Sequence, residues 1–131
     1  MSKKKLFISC PMKGRTEENI KKSMEKMHKI AEVIFDQELE VIPSYIEHNP
    51  PAGNNQAIWY LGESIKKMAE ADYFIGIQYC GGRWSGCYIE SEVAYQYDIQ
   101  RTLVTDDQII PKQEYDVLIE ALDSACRPTR R

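Results

Sequence analysis

The feature that most constrains this chain is a regular alternation of short apolar runs with longer stretches of helical periodicity. Lys5 to Ser9 (KLFIS) reads as a first strand. From Thr16 to about Phe35, apolar residues recur at Ile20, Met24, Met27, Ile30 or Ala31, and Ile34, with Thr16 as N-cap and Glu17 and Glu18 in the first turn. Glu40 to Pro43 is a second strand, followed by a loop rich in Pro, Asn and Gly through Asn55. Ile58, Leu61, Ile65 and Met68 mark a second helix, and Asp72 to Gln78 (DYFIGIQ) a third strand. The loop YCGGRWSG ends at Gly86, and a third helix runs from about Gly86 to Tyr97. Arg101 to Thr105 is a fourth strand, and Pro111 opens a last helix carrying Val117, Leu118, Ala121, Leu122 and Ala125. Strands alternating with helices of about ten residues or more form βαβ units. The expected fold is a small doubly wound α/β domain of Rossmann or flavodoxin type, a parallel sheet of four to five strands with helices on both faces. At 131 residues a single domain is expected over residues 1–126, with a basic tail at 127–131.

Charge narrows the partners. Seventeen basic against twenty acidic side chains give a net charge of -3, which disfavours a nucleic acid polymer as ligand but not a local basic pocket. No apolar run approaches the roughly 20 residues needed to cross a bilayer, so no membrane partner is expected. The lysine-rich start imitates a signal peptide, but its apolar stretch is too short, and a cytoplasmic protein is expected. Cys10, Cys80, Cys87 and Cys126 show no C-x-x-C pair and are read as thiols, and His28 and His48 stand alone. Neither a metal nor another cofactor is expected.

In an open parallel sheet the ligand crevice lies beyond the carboxyl ends of the strands, where the loops Cys10 to Arg15, Pro43 to Asn55 and Tyr79 to Gly86 converge. The third helix carries the sharpest signal there. Counting from Ile89 at about 100° per residue, Val93 falls near 40°, Gly86 near 60°, Tyr97 near 80° and Ala94 near 140°, an arc expected to pack on the sheet. Glu90 falls near 100°, in the middle of that arc, whereas Glu92, near 300°, reads as a solvated surface acid. An unpaired buried carboxylate is costly. Glu90 is therefore either a structural acid, capping its helix or paired with Lys13, Arg15 or Arg83, or a poised nucleophile or general base. In the first loop, SCPMKGRTEEN, backbone N–H groups with Lys13 and Arg15 suit a phosphate, though the segment lacks the G-x-x-x-x-G-K-S/T spacing and such a basic strand-to-helix turn is more often just a turn. Trp59, Tyr60, Tyr79 and Trp84 are candidates to stack on a base or to pack in the core and its rim.

Several of these segments together resemble the nucleoside 2-deoxyribosyltransferase family and its nucleotide N-glycosidase relatives. KLFISCPMKG is similar to the family's first strand and loop, AEADYFIGI to its third strand, and SGCYIESEVAYQYDI to its glutamate helix, over about residues 4 to 105. Ala94 stands four residues after Glu90, so the resemblance maps the family's nucleophile onto Glu90. It implies cleavage of the N-glycosidic bond of a nucleoside or nucleoside 5′-monophosphate, by hydrolysis or base transfer through a glycosyl-enzyme. It also implies substrate binding by Ser9, Cys10, Pro11, Met12, Lys13, Gly14 and Arg15 in the first loop, with the phosphate held there, and by Ser64, Trp84, Ser85 and Gly86. A homo-oligomer, a dimer or larger, is implied as well. The chain departs from the family pattern where Phe7 replaces a frequent tyrosine, Cys10 a glycine, and Trp84 and Ser64 two aspartates. The rival reading is a non-catalytic binding protein for a nucleotide or ADP-ribose-like ligand, with Trp84 as a stacking wall.

Overall fold

The computed structural model describes residues 3–44, 46, 49–53, 55–79 and 81–126, the side chains of 123–126 excepted. Outside the described residues lie Cys80, His48, part of the Pro43 to Asn55 loop, the Cys126 side chain and the basic tail at 127–131. The chain runs β1 (Lys4–Ile8), α1 (Glu17–Phe35), β2 (Leu39–Val41), α2 (Gln56–Met68), β3 (Tyr73–Ile77), α3 (Ser85–Gln96), β4 (Gln100–Val104), α4 (Asp106–Ile109) and α5 (Lys112–Cys126). All strand pairings are parallel, and the order across the sheet is β2-β1-β3-β4. This is a small doubly wound α/β fold. Its strand order reverses direction between β1 and β3, the place where open sheets of this kind leave a crevice.

Period-two alternation along the strands separates two cores. Leu6 and Ile8 of β1 and Ile75 and Ile77 of β3 pack with Met27 and Ala31 of α1 and Leu118 and Leu122 of α5. Phe7, Phe74, Met68 of α2 and Ala94 of α3 fill the other face. Phe7 and Phe74 are register partners, and their rings stack at 5.7 Å between centroids. Helix α1 begins as the sequence predicts, with the Thr16 hydroxyl accepting from Asn19 N at 3.1 Å. Asn55 caps α2 in the same way, at 3.0 Å from Ile58 N. The short helix α4 is not anticipated by the sequence reading. It is stabilised by a capping box in which the Gln108 side chain accepts from Thr105 N at 2.8 Å.

Helix α3 lies close to the sheet because its inward residues are small: Cys87, Ser91 and Ala94 are its buried positions. Beneath it, Gly76 gives the Phe74 ring room. A Cβ at residue 76 would stand 2.5 Å from Phe74 Cε1, closer than packed carbons tolerate. Gly76→Ala is therefore expected to lower unfolding free energy by about 1–3 kcal/mol in urea titrations. Combined with Phe74→Leu, the loss should be smaller than the sum of the two single losses. Equal stability of Gly76→Ala and wild type would show that the ring can move aside.

Candidate active site

The alternation of β1 continues past its last paired residue and builds the site. Phe7 faces the α2 and α3 layer, so two residues on Ser9 does too, while Cys10 turns back into the α1 and α5 core. Ser9 is 1% exposed, and its N–H donates to Ile75 O at 2.9 Å, which anchors it to β3. The Ser9 hydroxyl donates to Glu90 Oε1 at 2.6 Å. The Ser64 hydroxyl, on α2, lies near enough to the same carboxylate to favour its anion. Two strands' ends and two helices thus meet at Glu90, which is half-buried. None of the ion pairs among the described residues includes it. Burial pushes the Glu90 carboxyl above the ordinary carboxylate range, and the Ser9 and Ser64 hydroxyls pull it part of the way back by favouring the anion.

The position of Glu90 on its helix corrects the sequence reading. The arc expected to pack on the sheet included Ile89 and Tyr97, yet these are 40% and 77% exposed. The face that packs is centred instead on Cys87, Ser91 and Ala94, so Glu90 stands at the border of the buried face and not in its middle. Small residues win the sheet-facing position because they allow the closer approach, and the larger side chains are left outside. Glu92, expected to be solvated, is partly buried.

The first loop divides into groups with different surroundings. Pro11 is buried, and Met12, Lys13 and Gly14 are exposed. Gly14 has φ +76° and ends against Leu118 Cδ1, where a Cβ would come within 3.1 Å. Arg15 does not project into the crevice as a phosphate ligand. Its side chain is fully buried in the α1 and α5 layer, forked onto Glu114 with Nε at 2.6 Å from Oε2 and Nη2 at 3.1 Å from Oε1. Further bonds run from Arg15 to Pro11 O at 2.9 Å, Asn19 O at 3.2 Å and Ser23 Oγ at 2.7 Å. Burial pushes the neighbouring Cys10 thiol up to about 11 despite the Arg15 charge, which makes it a poor nucleophile at neutral pH.

Trp84 is not an open stacking wall. It is 6% exposed, and its indole N–H donates to Asp106 Oδ2 at 2.9 Å. Ser85 and Gly86, in the first turn of α3, are exposed. A shallow surface depression is lined by Ile77, Gln78, Tyr79, Gly82, Trp84 and Tyr88. Tyr88 precedes Glu90 by two residues, about 200° around the helix, so this depression opens on the opposite flank of α3 from the carboxylate. Trp59 and Tyr60 pack edge to face at 5.1 Å on α2. Asp106 and Glu114, absent from the sequence-based site, hold both site loops. The Thr105-x-x-Gln108 capping pattern was the available signal for the helix that Asp106 begins. Cys10 is a free thiol, and no group of three His, Cys, Asp or Glu is placed to hold a metal among the described residues. No helix among them is long and apolar enough to cross a membrane. Comparison of the chain with protein-family models, curated proteins and solved structures finds no match.

The raised titration of Glu90 has a consequence for stability. Between its unfolded and folded pKa values the folded chain binds the extra proton, so the group's contribution is present below the unfolded value and lost as pH rises through the folded one. Glu90→Gln, which retains an acceptor for Ser9, is therefore expected to melt at a higher temperature than wild type at pH 7. The two should converge as pH falls below the ordinary carboxylate range. A Glu90→Gln chain that is less stable than wild type at pH 7 would mean that the anion is stabilised by the fold.

Proposed function

We propose that the chain cleaves the N-glycosidic bond of a nucleoside or nucleoside 5′-monophosphate, with Glu90 as nucleophile. The observation that supports this reading best is a partly buried carboxylate just beyond the ends of β1 and β3, held by the Ser9 hydroxyl and paired with no cation among the described residues. Hydroxyl donors orient the anion without neutralising it, so its charge stays available to an electron-poor carbon. A Glu90 oxygen forms a bond to the anomeric carbon as the carbon–nitrogen bond breaks, and the base leaves with the electron pair. Water or a second base then attacks the same carbon and releases the carboxylate. Positive charge gathers on the sugar in both steps, and an adjacent anion favours it in both. The reactive form is ionised, so the acid limb of activity is expected to lie above the ordinary carboxylate range.

In this reading the phosphate of a 5′-monophosphate lies at the β1–α1 loop. Lys13 is its cation, since the Arg15 guanidinium is engaged with Glu114. Exposed Ile58, Ile89 and Tyr97 on α2 and α3 favour a homo-oligomer, which sedimentation velocity would reveal. The free thiol of Cys10 accords with a cytoplasmic setting.

The test is release of free base, or its exchange for an added base, from a panel of nucleosides and 5′-monophosphates. Glu90→Ala is expected to lower the rate by about 10³-fold or more, and Glu92→Ala to change it little. Lys13→Ala should erase any preference for monophosphates. A wild-type chain that releases no base from any member of the panel defeats the enzyme reading. If a nucleotide then still raises its melting temperature, the fold serves as a binding protein.

A further inference from the structure

Ser9 opens the β1–α1 loop and Glu90 lies in α3 after the β3–α3 loop, and both loops are tied to one segment far along the chain. On the β1 side, the Glu114 carboxylate holds the Arg15 guanidinium, which in turn donates to Pro11 O at 2.9 Å, two residues after Ser9. Ser23 accepts from Arg15 at 2.7 Å and donates to Ile109 O at 2.7 Å, adding a second link to the same segment. On the β3 side, Asp106 Oδ2 accepts from the Trp84 indole at 2.9 Å and from Arg83 Nη2 at 3.3 Å. Arg83 Nη2 also reaches the Tyr115 hydroxyl at 3.4 Å. Trp84 is the residue from which α3 starts, and its own side chain makes no capping bond there, so the indole anchor fixes where the helix begins. Asp106 is 5% exposed and the Arg15 side chain is fully buried, so both anchors sit where charge is rarely placed without a structural or functional demand.

We propose that Asp106 and Glu114 are positioning residues for the Glu90 site: the segment from Asp106 to Tyr115 holds the β1–α1 and β3–α3 loops in the one arrangement that lets the Ser9 hydroxyl reach the Glu90 carboxylate. The nucleophile role of Glu90, on which the catalytic consequence of this positioning rests, is tested separately by the base-release assay above.

The experiment follows the side-chain carboxyl of Glu90 by carbon NMR through a pH titration of the full chain, assigned with Glu90→Gln. In Glu114→Gln and in Asp106→Asn the Glu90 midpoint is expected to move up, because a Ser9 hydroxyl drawn away no longer favours the anion. Ser9→Ala sets the full extent of that movement. The direction is diagnostic, since removing a nearby negative charge acts on Glu90 the other way and moves its midpoint down. Glu32→Gln supplies a control that lowers stability elsewhere, because Glu32 accepts from Leu39 N at 2.8 Å in the α1–β2 connection, and it should leave the Glu90 midpoint in place. Where Glu114→Gln fails to fold, Arg15→Lys keeps the charge but loses the fork that reaches Pro11, and it should show the same upward shift. An unchanged or lowered midpoint in the folded variants overturns the proposal. In a chain that turns over substrate, kcat falls about 10- to 100-fold in the same variants. A chain that shows the shift but releases no base keeps the positioning and loses the proposed chemistry.

Discussion

Ser9 and Cys10 are neighbours that leave β1 on opposite faces of the sheet, and the arrangement of polar groups in the molecule depends on that parting. Toward α2 and α3 goes a hydroxyl, which meets a carboxylate at 2.6 Å. Toward α1 and α5 goes a thiol, which lies beside a fully buried arginine. Near this parting each face holds a charged group that resists burial, and the two are treated differently. Arg15 is matched by a forked carboxylate and three further acceptors, so its charge is neutralised and its donors are used. Removing one partner of such a pair commonly costs about 3–5 kcal/mol, because the other is left charged in a dry place. Among the described residues Glu90 accepts from the Ser9 hydroxyl and forms no ion pair. A scaffold concerned only with stability would have paired it or replaced it.

Access to Glu90 follows from how α3 packs. Small residues at Cys87, Ser91 and Ala94 bring the helix axis near the strands. A residue in the middle of that contact would be sealed from any ligand, and one on the far side would be fully hydrated. Glu90 lies at the border, where desolvation by the neighbouring layers raises its proton affinity while one side stays open. Partial burial is the condition under which a carboxylate is both reactive and reachable.

Much of the fold was legible because periodicity reports directly on secondary structure. The β1 to β4 order, the Thr16 cap and the helical segments rest on signals a few residues long, and those are local. Orientation was less legible. Ile34, Ile89 and Tyr97 fit helical apolar arcs yet are more than a third exposed, since the sheet selects small residues for close contact and apolarity alone does not say which face wins. The ties that place the site loops were hidden for another reason. Arg15 meets Glu114 across 99 positions, and Trp84 meets Asp106 across 22, so no local window contains both partners. In the sequence, Arg15 beside Lys13 and Gly14 looks like part of an anion cradle. Only the fold shows that its charge is directed inward.

The acids of the site act on stability in opposite directions. For Asp106, burial works against the anion, but the bonds from Trp84 and Arg83 and the Arg83 charge outweigh it and hold the carboxyl below its ordinary range. Its contribution is therefore present above the unfolded pKa and lost only as pH falls through the lower folded value. For Glu90 the contribution is present in acid and lost as pH rises through its raised value. Above that raised value the fold accordingly carries an ionised Glu90 at some cost in stability, while the ionised Asp106 stabilises the loop next to it. An anchor that is strongest in the pH range where the neighbouring carboxylate is charged is what a site built around an anion requires. At Glu90 the Ser9 hydroxyl orients the anion without neutralising it, and charged anchors one layer away tie down the loop that carries that hydroxyl.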